Sequence, residues 1–381
     1  MKIGIITLPF NSNYGGLLQT YALQSVLRQM GHEVWSVNRR NRIMPFKFKI
    51  LTSSSRLIKS IMNRKAGVIR SWATAKEELI VDQHTNRFIR ENIRTTDFLK
   101  SEKEFAKLSR YEFDAYIVGS DQVWRPKYSP CLANHFLGFI ESTSKIKRIS
   151  YAASFGVDNW EYTPEQTEEC RKLVTKFNAV AVREDSAVKN CKDNFGIDAL
   201  QVLDPTLLIA KEEYIRMVEK DNIPKCNGTL LTYVLDKSPD KQEFIKSIVK
   251  ETGLNEVSIM PKSLFRDAGR KKINDCIYPP VTAWLRGFMD AEYVITDSFH
   301  GTAFAIIFNK PFLALGNTKR GMTRFTSLLK IFGLEDRIIL SADSHLIEKL
   351  YEPIDFHHVN EILKTKQKEA VTFLADSLKS V

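Results

Sequence analysis

Between Val34 and Lys76 the chain contains no acidic residue. The same stretch holds eleven basic ones: Arg39, Arg40, Arg42, Lys47, Lys49, Arg56, Lys59, Arg64, Lys65, Arg70 and Lys76. The 381-residue chain has 56 Lys and Arg against 45 Asp and Glu, so the remainder balances at 45 each and the net charge of +11 belongs to one segment. That distribution excludes an all-over polyanion coat. No nucleic-acid partner is expected, because one predicts aromatics interleaved with base-reading polar groups across a basic face. Cysteine is scarce as well. Of the five, the nearest two in sequence, Cys170 and Cys191, are 21 positions apart, so neither a zinc site nor a disulfide framework is supported. HExxH, GxSxG and a Walker lysine are all missing, which removes zincins, serine hydrolases of the elbow type and P-loop enzymes. No apolar run approaches the roughly 18 residues of a membrane span. The opening Met-Lys-Ile-Gly-Ile-Ile-Thr breaks at Pro9, short of the apolar core of a secretory leader. The expected setting is reducing and cytoplasmic.

The apolar share of 43% and charged share of 27% are those of a globular protein, and the length suggests two domains. Lys2–Leu8 reads as a strand, Asn11–Gly16 as a turn cluster, Leu17–Met30 as a helix and Glu33–Val37 as a second strand. That is a βαβ unit of a parallel sheet. Strands at 115–118, 148–153, 179–182 and 200–203 follow, with helices at 164–177 and 186–194 and one long helix at 74–93 before them. After Asp204-Pro205 a second alternation begins. Its strands are at 230–235, 257–260, 293–296 and 311–315, its helices at 240–252, 281–290 and 302–308, and the last 25 or so residues are helical. The expected architecture is α/β, two Rossmann-like domains of residues 1–205 and 206–381 with the site in the cleft between them, the last helix packing back on the first domain.

Ligands of open α/β sheets bind at the carboxyl ends of strands, and four strand exits here are unusually polar or glycine-rich. The first is Asn11-Ser12-Asn13-Tyr14-Gly15-Gly16, where paired glycines let backbone approach a ligand. The second is Gly119-Ser120-Asp121-Gln122-Val123-Trp124. There Asp121 can take a hydroxyl proton and Trp124 can stack on a sugar, or Asp121 caps a turn and Trp124 is core. The third, Val182-Arg183-Glu184-Asp185-Ser186, offers a guanidinium fork to a carboxylate or phosphate, or else an internal ion pair with Glu184 or Asp185. The fourth, Thr296-Asp297-Ser298-Phe299-His300-Gly301, puts His300 near a helix N-terminus. After the next strand, Lys319, Arg320 and Arg324 supply three cations for an anion, or are simply solvated charges.

In that order, together with Tyr151-Ala-Ala-Ser-Phe-Gly156 and Leu203-Asp204-Pro205-Thr206, these pieces resemble the bacterial polysaccharide pyruvyl transferase family. The resemblance implies a GT-B-like fold. It also implies transfer of pyruvyl from phosphoenolpyruvate, a co-substrate rather than a bound cofactor, onto two hydroxyls of a sugar as a cyclic ketal. Some members carry Arg two residues before the histidine, where this chain has Ser298, so either that arginine's job passes to Arg320 or Arg324 or the donor site differs. The expected roles are His300 for proton transfer on the donor, Asp121 for the acceptor hydroxyl with Asp297 second, and Arg183, Ser298, Lys319, Arg320 and Arg324 for the anion. Asn13, Tyr14, Gly15 and Trp124 shape the sugar site, and nothing demands a metal. A nucleotide-sugar glycosyltransferase of the same fold is the alternative. The apolar and basic alternation over residues 39–76 reads as a membrane-surface helix, or as a core-packed helix with a solvated basic face. On the first reading it holds the enzyme on the inner membrane leaflet beside a polyprenyl-diphosphate-linked sugar.

Overall fold

The computed structural model describes residues 1–39, 68, 70–129, 131–236, 238–316, 322–340 and 344–379. Among these, eleven strands form two parallel sheets. The first contains β1 (Lys2–Ile6), β2 (Glu33–Ser36), β3 (Ala115–Val118), β4 (Lys147–Ala153), β5 (Ala179–Val182) and β6 (Leu200–Gln201), in the order β2-β1-β3-β4-β5-β6. The second contains β7 (Leu230–Tyr233), β8 (Glu256–Ser258), β9 (Tyr293–Thr296), β10 (Phe312–Leu315) and β11 (Ile338–Ile339), in the order β11-β10-β9-β7-β8. Central strands such as β3 (Ala-Tyr-Ile-Val) and β10 (Phe-Leu-Ala-Leu) are buried along their whole length. Unbroken apolar runs of this kind are what a parallel strand covered on both faces requires.

In both sheets the second strand lies on the far side of the first, and the third returns to the near side. The order therefore reverses at β1/β3 and again at β7/β9. Each reversal opens a crevice at the carboxyl ends of its two strands.

The helices correct the sequence reading in instructive ways. The first runs Tyr14–Gln29, so Tyr14, Gly15 and Gly16 form its opening turn rather than a loop before it. Tyr14 and Gly15 are buried against the other half of the molecule. Tyr14 stacks on Trp284 at 5.6 Å between ring centroids and its hydroxyl donates to the Pro279 carbonyl at 2.9 Å. The expected helix at 74–93 is two, Ala75–Val81 and Gln83–Asn92, meeting at Asp82. The helix at Pro164–Val174 starts as read: Thr163 and Gln166 form a capping box ahead of an N-terminal proline. Lys211–Lys220 and Thr323–Phe332 are helices that the apolar spacing did not announce.

One apolar cluster runs through both halves, from Ile3 and Ile149 to Trp284, Phe304 and Leu374. The final helix, Phe356–Leu378, returns to the first sheet, with Phe373 6.3 Å from Tyr151 and the Ser377 carbonyl accepting from Lys147 Nζ at 3.2 Å.

Eight of the eleven segment cations lie at 40–67, outside the described residues. Arg39, the first of them, is no surface charge. It is 3% exposed, its Nη1 is 3.1 Å from Glu102 and its Nη2 2.6 Å from His135 Nε2. Arg70 makes a two-pronged pair with Glu77 at 2.7 and 2.6 Å. Both are therefore removed from any set available to a membrane. No helix among the described residues is long and apolar enough to cross one.

Candidate active site

The two crevices face one another and form a single cleft of about 510 Å³. Asn11–Tyr14 enter it from the β1 exit, Asp121 and Gln122 from β3, Leu235 from β7, and Asp297–His300 from β9, with Arg324 alongside. The backbone at the β3 exit is tightly specified. Gly119 has φ +127°, and a Cβ there would overlap the Tyr151 carbonyl. Asp121 itself has φ +72°, a left-handed conformation that Asp tolerates better than most residues and that recurs at functional sites.

Behind the cleft wall sits a buried charge network centred on Arg183. Its Nη1 is 2.9 Å from Asp204 Oδ2, its Nη2 3.3 Å from Asp121 Oδ1 and its Nε 3.3 Å from Glu184 Oε1. Its guanidinium carbon lies 4.3 Å from the Phe299 ring centroid. Three strand exits, β3, β5 and β6, thus meet on one side chain. Burial pushes the Glu184 carboxyl above its ordinary value, against the charges of Arg183 and Arg324 and the Ser154 hydroxyl, which donates to Oε1 at 2.6 Å. Burial would push Asp204 up too. The charges of His300 and Arg183 and two hydrogen bonds from Thr206 outweigh it and hold that carboxyl low.

His300 occupies the first turn of the helix Phe299–Ile307 and is 6% exposed. Among the described residues its Nε2 has no hydrogen-bond partner, and it stands 3.8 Å from Asp204 Oδ2. Burial lowers the imidazole below its ordinary 6.5; Asp204 and Asp121 draw it back up, while Arg183 and Arg324 push it further down. The ring lies on Gly15, where any Cβ would overlap Cγ and Nδ1. That contact explains a glycine in the opening turn of a helix.

Several residues named from sequence are placed differently from what was expected. Trp124 is fully buried. It stacks on Phe136 at 4.9 Å and its Nε1 donates to the His135 carbonyl at 3.1 Å, so its ring has no face for a sugar. Arg183 takes the ion-pair alternative, with its fork committed to carboxylates. Asp297 lines the cleft, but its Oδ1 accepts from the Leu235 amide at 2.6 Å and its Oδ2 from the Asp236 amide at 3.0 Å and Lys241 Nζ at 2.8 Å. It holds the β7 exit in place, with both oxygens engaged by that exit and by Lys241. Ser298 and Asn13 line the cleft as expected of their position. Lys319 and Arg320 lie outside the described residues, which leaves Arg324 as the member of that trio seen at the cleft.

Four further residues were not singled out for the site: Ser120, Ser154, Glu184 and Asp204. The signal for Asp204 was present, since Asp204-Pro205 follows β6 as directly as Asp121 follows β3.

The sequence matches the polysaccharide pyruvyl transferase family over residues 13–319. No curated protein matches it. Among solved structures it is similar to UDP-GlcNAc 2-epimerase from Neisseria meningitidis bound to UDP-GlcNAc, at 11% identity over 99% of each chain with a TM-score of 0.52. It is also similar to UDP-N-acetylglucosamine 2-epimerase from Rickettsia bellii, at 14% identity over 99% of this chain and 96% of the other, with a TM-score of 0.51. At such identities these likenesses speak for the fold alone, the two-domain GT-B arrangement already seen in the paired sheets. The family match begins at Asn13 in the β1 exit and takes in the β3, β7 and β9 exits that line the cleft and the β5 and β6 exits behind its wall. The chain belongs to the polysaccharide pyruvyl transferase family.

Proposed function

We propose that this chain transfers pyruvyl from phosphoenolpyruvate to two hydroxyls of a sugar in a surface polysaccharide precursor, forming a cyclic ketal and releasing phosphate. One observation carries the reading within the family: His300, at a helix N-terminus and beside Arg324, shares its cleft with Asp121 from the facing domain. A helix N-terminus and a guanidinium suit an anion. An imidazole and a carboxylate suit proton traffic on donor and acceptor. Proton balance sets their tasks. One proton must reach the vinyl methylene carbon to make the methyl group. Two hydroxyl protons are lost as two C–O bonds form at the central carbon, and one of them leaves on phosphate when its ester bond breaks. His300 gives the methylene proton, Asp121 receives from the acceptor hydroxyl, and Arg324 takes over the anion-binding job that Ser298 cannot do. The acceptor is a lipid-linked sugar at the inner leaflet.

Incubation with phosphoenolpyruvate and a panel of lipid-linked and nitrophenyl sugars should yield a mass gain of one pyruvic acid less one water, with one phosphate released per ketal. If no acceptor gains that mass, and UDP- or GDP-sugars but not phosphoenolpyruvate raise the melting temperature, the nucleotide-sugar glycosyltransferase reading replaces it.

The contact between Gly15 and His300 gives a sharper test. Alanine favours a helix over glycine by about 1 kcal/mol, so Gly15→Ala would ordinarily be harmless or stabilising. Here the methyl group displaces the imidazole, and misplacement of a catalytic group by about 1 Å costs on the order of 100-fold. The expected result is loss of kcat with an unchanged far-ultraviolet circular dichroism spectrum. Wild-type turnover by that variant would show that the ring position is not critical.

A further inference from the structure

Asp204 does not line the cleft, yet its carboxylate is densely hydrogen-bonded. Oδ1 accepts from the Thr206 amide at 3.0 Å and the Thr206 hydroxyl at 2.8 Å. Oδ2 accepts from Arg183 Nη1 at 2.9 Å and lies 3.0 Å from Ser120 Oγ, whose hydroxyl also reaches the Ala152 carbonyl at 3.1 Å. Groups from three chain segments surround the carboxylate, and the side chain is fully buried. Structural anchoring of the turn Pro205–Leu207 needs only Oδ1, which caps it through Thr206. Oδ2 faces Ser120 and Arg183 and, at 3.8 Å, His300 Nε2, a nitrogen with no hydrogen-bond partner among the described residues.

We infer that Asp204 is the positioning residue of His300, its fixed carboxylate holding the protonated imidazole that delivers the proton to the donor's methylene carbon. An imidazolium 3.8 Å from a buried carboxylate is favoured, and its ring orientation is set by the same attraction. Other charged groups face the ring too. Asp121, from the β3 exit, adds to the effect. Arg183, from β5, and Arg324, from the helix Thr323–Phe332, oppose it, and the helix Tyr14–Gln29 packs the uncharged Gly15 on the ring. Arg183 is therefore partly cancelled at His300 by the carboxylates it binds, and Asp204 is the one of those in reach of Nε2. Arg183, Asp204 and His300 form a chain in which the arginine keeps the carboxylate ionised and the carboxylate keeps the imidazole charged when a proton arrives.

The inference rests on His300 being the proton donor of the proposed reaction, so its test includes a measurement that needs no turnover. With ¹³C-histidine-labelled protein, the His300 resonance, assigned by its loss in His300→Asn, should titrate about one unit lower in Asp204→Asn than in wild type, and close to wild type in Asp204→Glu. In steady-state assays the alkaline limb of kcat moves down by the same amount in Asp204→Asn, so that kcat at neutral pH falls about tenfold while KM for phosphoenolpyruvate is retained. A purely structural role would lower melting temperature and kcat without moving either titration. If both Asp204 variants fail to fold, Ser120→Ala decides. It removes the hydroxyl beside Oδ2, concentrates charge there and should move the His300 titration upward. An unmoved His300 titration in every variant that folds overturns the inference, whether or not the protein transfers pyruvyl. Absence of pyruvyl transfer in wild type together with the expected titration shifts would overturn the reaction and leave the Asp204–His300 pairing standing.

Discussion

His300→Asn should lose pyruvyl transfer by about 10²- to 10⁴-fold, the span over which a positioned general acid acts, and should still fold. The ring is buried against Gly15 and Phe299, so its removal costs packing, of order 1–3 kcal/mol for a substitution of this kind, while Asp204, 3.8 Å from Nε2, keeps Arg183 and Thr206 as partners. The pH dependence of stability separates this residue from a bystander. Burial holds the folded-state imidazole below 6.5, so as pH falls through that value the unfolded chain takes up the proton first. His300 therefore adds stability that is fully present above about 6.5 and is lost as pH falls toward its folded value. The gap in unfolding free energy between wild type and His300→Asn should narrow from pH 7.5 to pH 5.5, read from urea unfolding at each pH. A gap independent of pH would mean that the ring titrates as in the unfolded chain. Full activity in the variant would end its candidacy as the acid.

What was legible in the sequence, and what was not, divides along a physical line. Strand exits are readable because an apolar run that stops at polar or glycine-rich residues marks the edge of a buried parallel strand. Three of the four such exits line one cleft, and the fourth, at Arg183, lies directly behind its wall. The direction each side chain takes after the strand ends is not readable in the same way. Trp124 is three residues beyond Asp121, and only the aromatic cluster around Phe136 decides that it turns inward. Asp297 looks like an acid beside a histidine, but the amides of Leu235 and Asp236 belong to a neighbouring strand exit 61 or 62 positions away. Asp204 was passed over because Asp-Pro reads as a domain junction. Its importance comes from β5 and β6 lying side by side, which places Arg183 against it. The start of the first helix was hidden for a related reason. Gly15 and Gly16 weaken the helical signal locally, and the partner that requires Gly15 is 285 positions further on.

Replacing Arg183 should have the largest effect on the fold. Arg183→Met keeps much of the side chain's length and removes the charge, leaving Asp121, Glu184 and Asp204 buried around an uncharged stem. Breaking a buried ion pair from one side typically costs about 3–5 kcal/mol, and here one substitution strips three carboxylates of a shared cation. The sign of the pH effect follows. Without the guanidinium, desolvation and mutual repulsion raise the carboxyl groups in the folded state above their unfolded values, so the folded variant binds protons first as pH falls. The variant's deficit should be greatest at and above neutral pH and should shrink toward pH 5. Asp204→Asn placed on top of Arg183→Met should recover part of the loss, since it removes one of the stranded charges, and the two changes should be strongly non-additive. Arg183→Lys tests geometry rather than charge. A single ammonium cannot span carboxylates from three strand exits as a planar fork does, so it should rescue only part of the stability. The competing view, in which Arg183 grips the donor directly, makes the opposite forecast: normal stability, a raised KM for phosphoenolpyruvate and no dependence on Asp204. The committed distances of 2.9, 3.3 and 3.3 Å favour the network. On that view the anion is left to Arg324 and the first turn of the His300 helix, and Arg183 serves the reaction through the carboxylates it keeps charged.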